Sequence, residues 1–168
     1  MTELLLVRHA RAAATNRRSA ERDRARPLTR RGRRQARRTA SALRQLGVTL
    51  DRLYYAPSLR CVQTADGLVG LLEGESVVTK RLGHAPSHAL LTEISGERVA
   101  LVGHEPHLGA LAGLLVAGAA RASLGSKPSG VVWLEGDLRP GGMRVRAVLP
   151  PRVLRALARD RQRQRRTP

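Results

Sequence analysis

The sequence predicts an α/β fold, a mostly parallel sheet whose strands are joined by helices. Three observations predict it. The apolar run at 4–7 and the segment 98–102, with its ALV, read as buried strands, and 50–55 reads as another short strand. Stretches of helical spacing separate them, the alternation expected of a parallel sheet. Two late segments, 129–134 and 143–149, alternate like paired strands around a glycine-containing turn at 136–142, which reads as an antiparallel hairpin at the sheet edge.

A chain of 168 residues fits one domain, spanning 1–158, with a tail at 159–168 too charged to pack. Aromatics are only 2% of the chain and there is no Phe, so the core must be built of Leu, Val and Ala. The formal net charge is +18, nearly all of it from Arg, because Lys80 and Lys127 are the only lysines. Such a surface attracts polyanions. Tyr54, Tyr55 and Trp133 are too few to form stacking platforms for bases, so nucleic acid is expected to bind only non-specifically. The single cysteine, Cys61, excludes an internal disulfide and fits a reducing cytoplasm. No stretch approaches a membrane span, and the first residues lack the layout of a signal peptide.

The first strand, 4–7, ends abruptly in Arg8 and His9. In open α/β sheets ligands bind outside the carboxyl ends of the strands, so these two side chains stand where a site belongs. The segment 11–26 has no clean period and reads as a loop; Asn16 lies in it, within reach of such a site. Thr29 is a good N-cap for a helix in which Ala36, Ala40, Leu43 and Leu46 recur at helical spacing, and Gly47 is a natural stop. The plain reading of its Arg run, 30–38, is a solvated helix face.

The second strand, 50–55, leads through Ala56-Pro57-Ser58 into a helix expected over 59–72, with Ser58 as N-cap. Arg60 then stands in the first turn of a helix, whose N-terminus itself favours anions. A short edge strand is expected at 77–79, and a helix carrying His88 at 86–94. The strand 98–102 ends at Gly103-His104-Glu105-Pro106, and a helix follows over 106–117. After the hairpin, a last helix is expected over 151–159.

Three strand-to-helix junctions thus carry Arg8 and His9, Arg60, and His104. Two arginines, two histidines and helix N-termini at one sheet edge suit a dianion such as phosphate, which the guanidinium fork pairs bidentately. A histidine in that company is either a phosphate ligand or a nucleophile.

LVRHA at 6–10, RPLTRRG at 26–32, APSLRCVQTA at 56–65 and LVGHEPHL at 101–108 resemble the four signature blocks of the histidine phosphatase superfamily. The short length, the PLT-x-x-G and GHEP blocks, and SKPSGVVWLEG at 126–136 are most similar to its SixA-type phosphohistidine phosphatases. The resemblance implies a three-layer, phosphoglycerate mutase-like sheet with helices on both faces. It implies His9 as nucleophile, and Arg8, Arg60 and His104 as phosphate ligands. The residues support these roles separately. A neutral imidazole offers a ring nitrogen to phosphorus. Arg8, Arg60 and a protonated His104 would neutralise the phosphoryl oxygens as the group moves in line. No cofactor and no metal is called for, since the arginines supply the charge.

Two departures bear on the chemistry. Arg11 stands where many members have an acidic residue. The stretch 81–84, Arg-Leu-Gly-His, offers no carboxylate as general acid. Either the leaving group needs little help, as the imidazole of phosphohistidine would, or another residue supplies the proton. Glu105 and His84 are the candidates, Glu105 being read either as a charge partner of its helix N-terminus or as a catalytic part. Thr64 is expected to pack beneath the site, Cys61 to be a buried filler, and His88 and His107 to be surface or helix histidines. Lys127 stands out as a rare lysine that would hold a phosphoryl or loop position.

The expected function is phosphate release through a phosphohistidine enzyme intermediate. The substrate would be a phosphohistidine protein or, alternatively, a small phosphorylated molecule, and the chain would act as a monomer or weak dimer. The remaining alternative is a non-catalytic module that binds polyanions.

Overall fold

The structure, a computed structural model, describes residues 1–14, 19–120 and 124–164, with side chains through Arg159. Six strands form one sheet: β1 (Thr2–Arg8), β2 (Leu50–Tyr55), β3 (Leu72–Val78), β4 (Arg98–Gly103), β5 (Val131–Gly136) and β6 (Met143–Leu149). Their order is β3-β2-β4-β1-β5-β6. β3, β2, β4 and β1 run parallel, and β5 and β6 close the sheet as an antiparallel hairpin. The apolar run Leu4–Val7 lies at the centre, paired on both sides and fully buried, which is why it does not alternate.

The helices are α1 (Ala20–Arg24), α2 (Arg30–Gln45), α3 (Leu59–Leu68), α4 (His88–Glu93), α5 (His107–Ala117) and α6 (Pro151–Gln164). Strand order and handedness place them. The crossovers β1-α2-β2 and β2-α3-β3 move toward one edge, and β3-α4-β4 moves back, so right-handed connections put α2 and α3 on one face and α4 on the other. α6 packs on α2, while α5 packs with the 3-10 turn Lys80–Gly83 that precedes α4. The fold is therefore the three-layer, mixed and mostly parallel α/β architecture expected of the sequence. No helix among the described residues is long and apolar enough to cross a membrane.

Several boundaries differ from the sequence expectation. α3 stops at Leu68, a 3-10 turn follows over Val69–Leu71, and Leu72 already belongs to β3. Apolar residues at 68, 69, 71 and 72 look helical, but the chain uses them to turn into an edge strand longer than expected. Within 11–26, read as loop, Ser19 caps the short helix α1 by accepting from Arg22 N–H at 3.2 Å. α6 continues to Gln164, five residues past the expected end. Leu46 is the C-cap of α2 and exposed, not part of the buried stripe. The Arg run behaves as expected: Arg30, Arg31, Arg33, Arg34, Arg37 and Arg38 are all exposed.

Candidate active site

The site lies where neighbouring strands send their connections to opposite faces. β1 leads to α2 on one face and its neighbour β4 leads to α5 on the other, which opens a crevice at their carboxyl ends. Sheet pairing continues into that crevice. Arg8 pairs with Gly103, His9 N–H donates to Gly103 O at 3.0 Å, and Ala56 N–H donates to Val102 O at 3.0 Å. The three junctions singled out in the sequence are thereby held side by side.

His9 and His104 meet edge to face with ring centroids 5.3 Å apart. His9 Nδ1 lies 2.8 Å from Ala10 O. A carbonyl only accepts, so this contact puts the ring proton on Nδ1 and leaves the Nε2 lone pair free. Burial, reinforced by the charges of Arg60, Arg8 and Arg26, lowers the His9 pKa from 6.5 to about 4. His104 is lowered further, to about 3, first by burial and then by Arg60 and His9. The expectation of a protonated His104 is therefore corrected for the free protein: a half-buried imidazole beside a guanidinium stays neutral. Its Nε2 lies 3.2 Å from Ser58 Oγ. Ser58 occupies the N-cap position of α3, yet its hydroxyl makes no cap hydrogen bond and turns to His104 instead. Cys61 is buried beneath, its Sγ 3.6 Å from His104 Nε2, and burial pushes its thiol up to about 11.

Arg60, only 7% exposed, reaches across to α1. Its Nη1 donates to Asp23 O at 2.6 Å and its Nη2 to Asp23 Oδ2 at 3.0 Å. Arg26 takes the other carboxylate oxygen at 3.0 Å. These arginines hold the Asp23 carboxyl below its ordinary pKa. Neither Asp23 nor Arg26 was singled out from the sequence. Arg26 stands inside the RPLT block, so that signal was present; Asp23 had none, because the helix that presents it is only five residues long.

Arg8 Nη1 donates to Ser126 O at 2.7 Å. Ser126 N–H in turn donates to Glu105 Oε1 at 2.9 Å, and Gly109 N–H donates to Glu105 Oε2 at 3.0 Å. Of the two readings of Glu105, these contacts favour the charge partner of the helix N-terminus. Both its oxygens are engaged by main-chain N–H groups, so it ties the first turn of α5 to the segment that holds Arg8. Thr64 packs beneath the site as expected. Fully buried, its hydroxyl accepts from Ala10 N–H at 3.0 Å and donates to Arg60 O at 2.6 Å, which joins the exit of β1 to α3. On the opposite side Gly32 allows the chain after His9 to lie against α2: a Cβ there would stand 2.0 Å from Arg11 O.

Arg8, Arg26 and Arg60 each keep a buried Nε–H with no protein acceptor among the described residues. Buried donors are rarely left unpaired. A cavity of ≈ 1010 Å³ opens over Arg60, Ser58 and His104, walled by α1, by His84 and by His107. His107 and His88 are helix histidines as expected: His107 opens α5 and also borders this cavity, and His88 is exposed at the start of α4. Lys127 is exposed and borders a separate cavity beside Arg152. Asn16 lies outside the described residues. Among the described residues no three His, Cys, Asp or Glu side chains gather as a metal site requires.

Residues 4–85 match the family model of the histidine phosphatase superfamily, branch 1. The match covers just under half of the chain and is a likeness to that superfamily. The match takes in the Arg8-His9 and Arg60 blocks, and the structure brings His104, from beyond it, onto the same edge. A search of curated proteins finds no match. Among solved structures, the protein from Agrobacterium tumefaciens named as the phosphohistidine phosphatase SixA is 25% identical, with a TM-score of 0.73 over 89% of this chain and 98% of that one. The protein histidine phosphatase SixA complexed with tungstate shares the fold at 23% identity and a TM-score of 0.75, over 91% of this chain and 99% of that one. A phosphoserine phosphatase from Entamoeba histolytica, with 3-phosphoglyceric acid, shares it at 15% identity and a TM-score of 0.66, over 92% of this chain and 100% of that one. The chain therefore has relatives in fold among enzymes named for protein substrates and for small ones.

Proposed function

We propose that this phosphatase hydrolyses phosphohistidine in a protein, through a phosphoryl group carried on His9. The observation that carries the reading is the His9 ring itself. Its Nδ1–H is tied to Ala10 O, its Nε2 lone pair is free, and its pKa is lowered to about 4 beside three arginines.

In the first step Nε2 attacks phosphorus. The N–P bond to His9 forms as the bond to the leaving group breaks, and the leaving group keeps that electron pair and takes a proton from solvent. In the second step water attacks phosphorus, the N–P bond breaks, its pair returns to Nε2, and phosphate departs. Arg8, Arg60 and His104 bind the phosphoryl oxygens. Arg60, which lines the cavity, suits that task. A dianion also raises the affinity of His104 for a proton, so the imidazole becomes a charged donor once substrate is bound.

The carboxylates support the choice of leaving group. Glu105 is held by two N–H donors, and Asp23 is paired with two arginines and kept ionised. Neither is a ready proton donor. An imidazole leaving group, protonated from water, makes little demand for one. The test is phosphate release from a histidine-phosphorylated protein and from p-nitrophenyl phosphate, by wild type and by His9→Ala. Turnover of the phosphoprotein that His9→Ala abolishes is expected. Release that survives the substitution would end the mechanism, and a wild type that prefers the ester would end the substrate assignment.

One observation favours the small-molecule reading as a second possibility. His84 borders the cavity, on the segment where a proton donor was sought in the sequence. His84→Ala would then lower hydrolysis of esters with poor leaving groups while sparing phosphohistidine.

A further inference from the structure

The positive charge of this protein is not spread evenly. α2 carries Arg30, Arg33, Arg34 and Arg37 at i, i+3, i+4 and i+7, one exposed stripe. α6 carries Arg152, Arg155 and Arg159 at i, i+3 and i+7, also exposed. The two helices pack on each other, and a cleft of ≈ 170 Å³ between them is lined by Arg31, Arg38, Arg152 and Arg155 together with Gln35. α2 contains no acidic residue at all.

The ion pairs of the described residues lie elsewhere. Arg98 pairs with Asp51 at 2.7 Å and with Glu73 at 3.2 Å, Arg144 with Glu135 at 2.8 Å, Arg81 with Glu93 at 3.3 Å, and Arg26 and Arg60 with Asp23. None involves α2 or α6. α2 carries no carboxylate, and among the described side chains no carboxylate pairs with the arginines of α2 or α6.

We propose that the α2–α6 face is a docking surface for the phosphodiester backbone of double-stranded nucleic acid, separate from the phosphatase site. Charge complementarity selects the partner. The α2 stripe, Arg30 to Arg37, presents its cations along about 11 Å, against a ligand carrying one negative charge per about 1.7 Å of duplex axis. A protein partner would look for an apolar or aromatic centre, and the exposed stripe offers Arg only. A single strand would look for stacking side chains, and neither helix contains Phe, Tyr or Trp. The contact reads backbone rather than base sequence.

The experiment compares two sets of neutralising substitutions in the full chain. One variant carries Arg31→Gln, Arg38→Gln, Arg152→Gln and Arg155→Gln. The control carries Arg52→Gln, Arg81→Gln, Arg139→Gln and Arg144→Gln, which remove the same number of charges from other surfaces. Binding to a fluorescent duplex of about 25 base pairs is followed by anisotropy between about 50 and 200 mM salt. The wild type is expected to bind with a steep salt dependence. The α2–α6 variant should lose about 3 from the slope of log K against log salt, and the control less than about 1. Equal loss in both variants would show that net charge alone attracts the duplex, and the proposal would fail. It would also fail if poly-glutamate bound as tightly as duplex and with the same dependence on α2 and α6, since the face would then fit acidic proteins. Circular dichroism checks that both variants fold. Should the first not fold, Arg37→Gln with Arg159→Gln, at exposed positions, carries the same expectation at half the size.

Discussion

Asp23 holds Arg60 twice, by its main-chain carbonyl at 2.6 Å and by its carboxylate at 3.0 Å, so the guanidinium that should receive phosphate is already paired with a carboxylate of the same chain. Substrate must exchange with that carboxylate. Asp23→Asn keeps the carbonyl contact and removes the competing charge. Inhibition by inorganic phosphate is expected to tighten about fivefold, on the order of 1 kcal/mol. Weaker inhibition would mean that Asp23 serves to hold Arg60 in place rather than to compete with the ligand.

The two lowered histidines set the pH behaviour. Protonated His9 has no lone pair to attack phosphorus, and kcat/KM reports the free enzyme. Activity should therefore persist through pH 6 and 5 and fall only as pH approaches about 4, the value for His9. A limb near 6.5 would show that the ring is not buried as described.

Stability follows the same groups. Both folded pKa values, about 4 and about 3, lie below the unfolded value of 6.5, so the unfolded chain binds more protons in between. The stabilising contribution is complete above about pH 6.5 and is lost as pH falls toward 4. The expected loss is on the order of 3 kcal/mol, read from urea midpoints at pH 7 and pH 4.5. His9→Gln should flatten that dependence.

Glu105 reaches Arg8 through Ser126. Glu105→Ala leaves Gly109 N–H and Ser126 N–H without their acceptor, costs about 1–2 kcal/mol of stability, and loosens the carbonyl that holds Arg8. KM is expected to rise several-fold for good and poor leaving groups alike. A loss confined to poor leaving groups would restore Glu105 as the general acid.

Thr64→Val removes the hydroxyl that bridges Ala10 and Arg60. It leaves a buried main-chain N–H unpaired at no change of shape, and about 1–3 kcal/mol of destabilisation is expected in thermal or urea unfolding. A neutral result would mean that water replaces the hydroxyl.

The elements of the fold that the sequence announced are those whose side chains obey one periodicity. β1 and β4 carry apolar runs because both their faces are covered, and the strand ends were visible as the points where Arg8-His9, Arg60 and His104 interrupt or follow β1, β2 and β4. The boundary of α3 was not visible, because Leu68, Leu71 and Leu72 are apolar whether the chain coils or extends. Within the site, position along strand ends was legible and orientation was not. Ser58 stands at an N-cap, yet its hydroxyl serves His104. Glu105 stands beside a histidine, yet its oxygens serve two amides. Asp23 comes from a one-turn helix with no pattern of its own, and only the fold shows that it meets Arg60.

Cys61 lies against His104 with its thiol pushed up to about 11. Oxidants such as peroxide attack the thiolate, and a thiol with that pKa is almost wholly protonated at neutral pH. On the mechanism proposed above the nucleophile is a ring nitrogen and the chain's one thiol is masked, so peroxide is expected to leave turnover intact, where an enzyme that relies on a reactive cysteine is silenced.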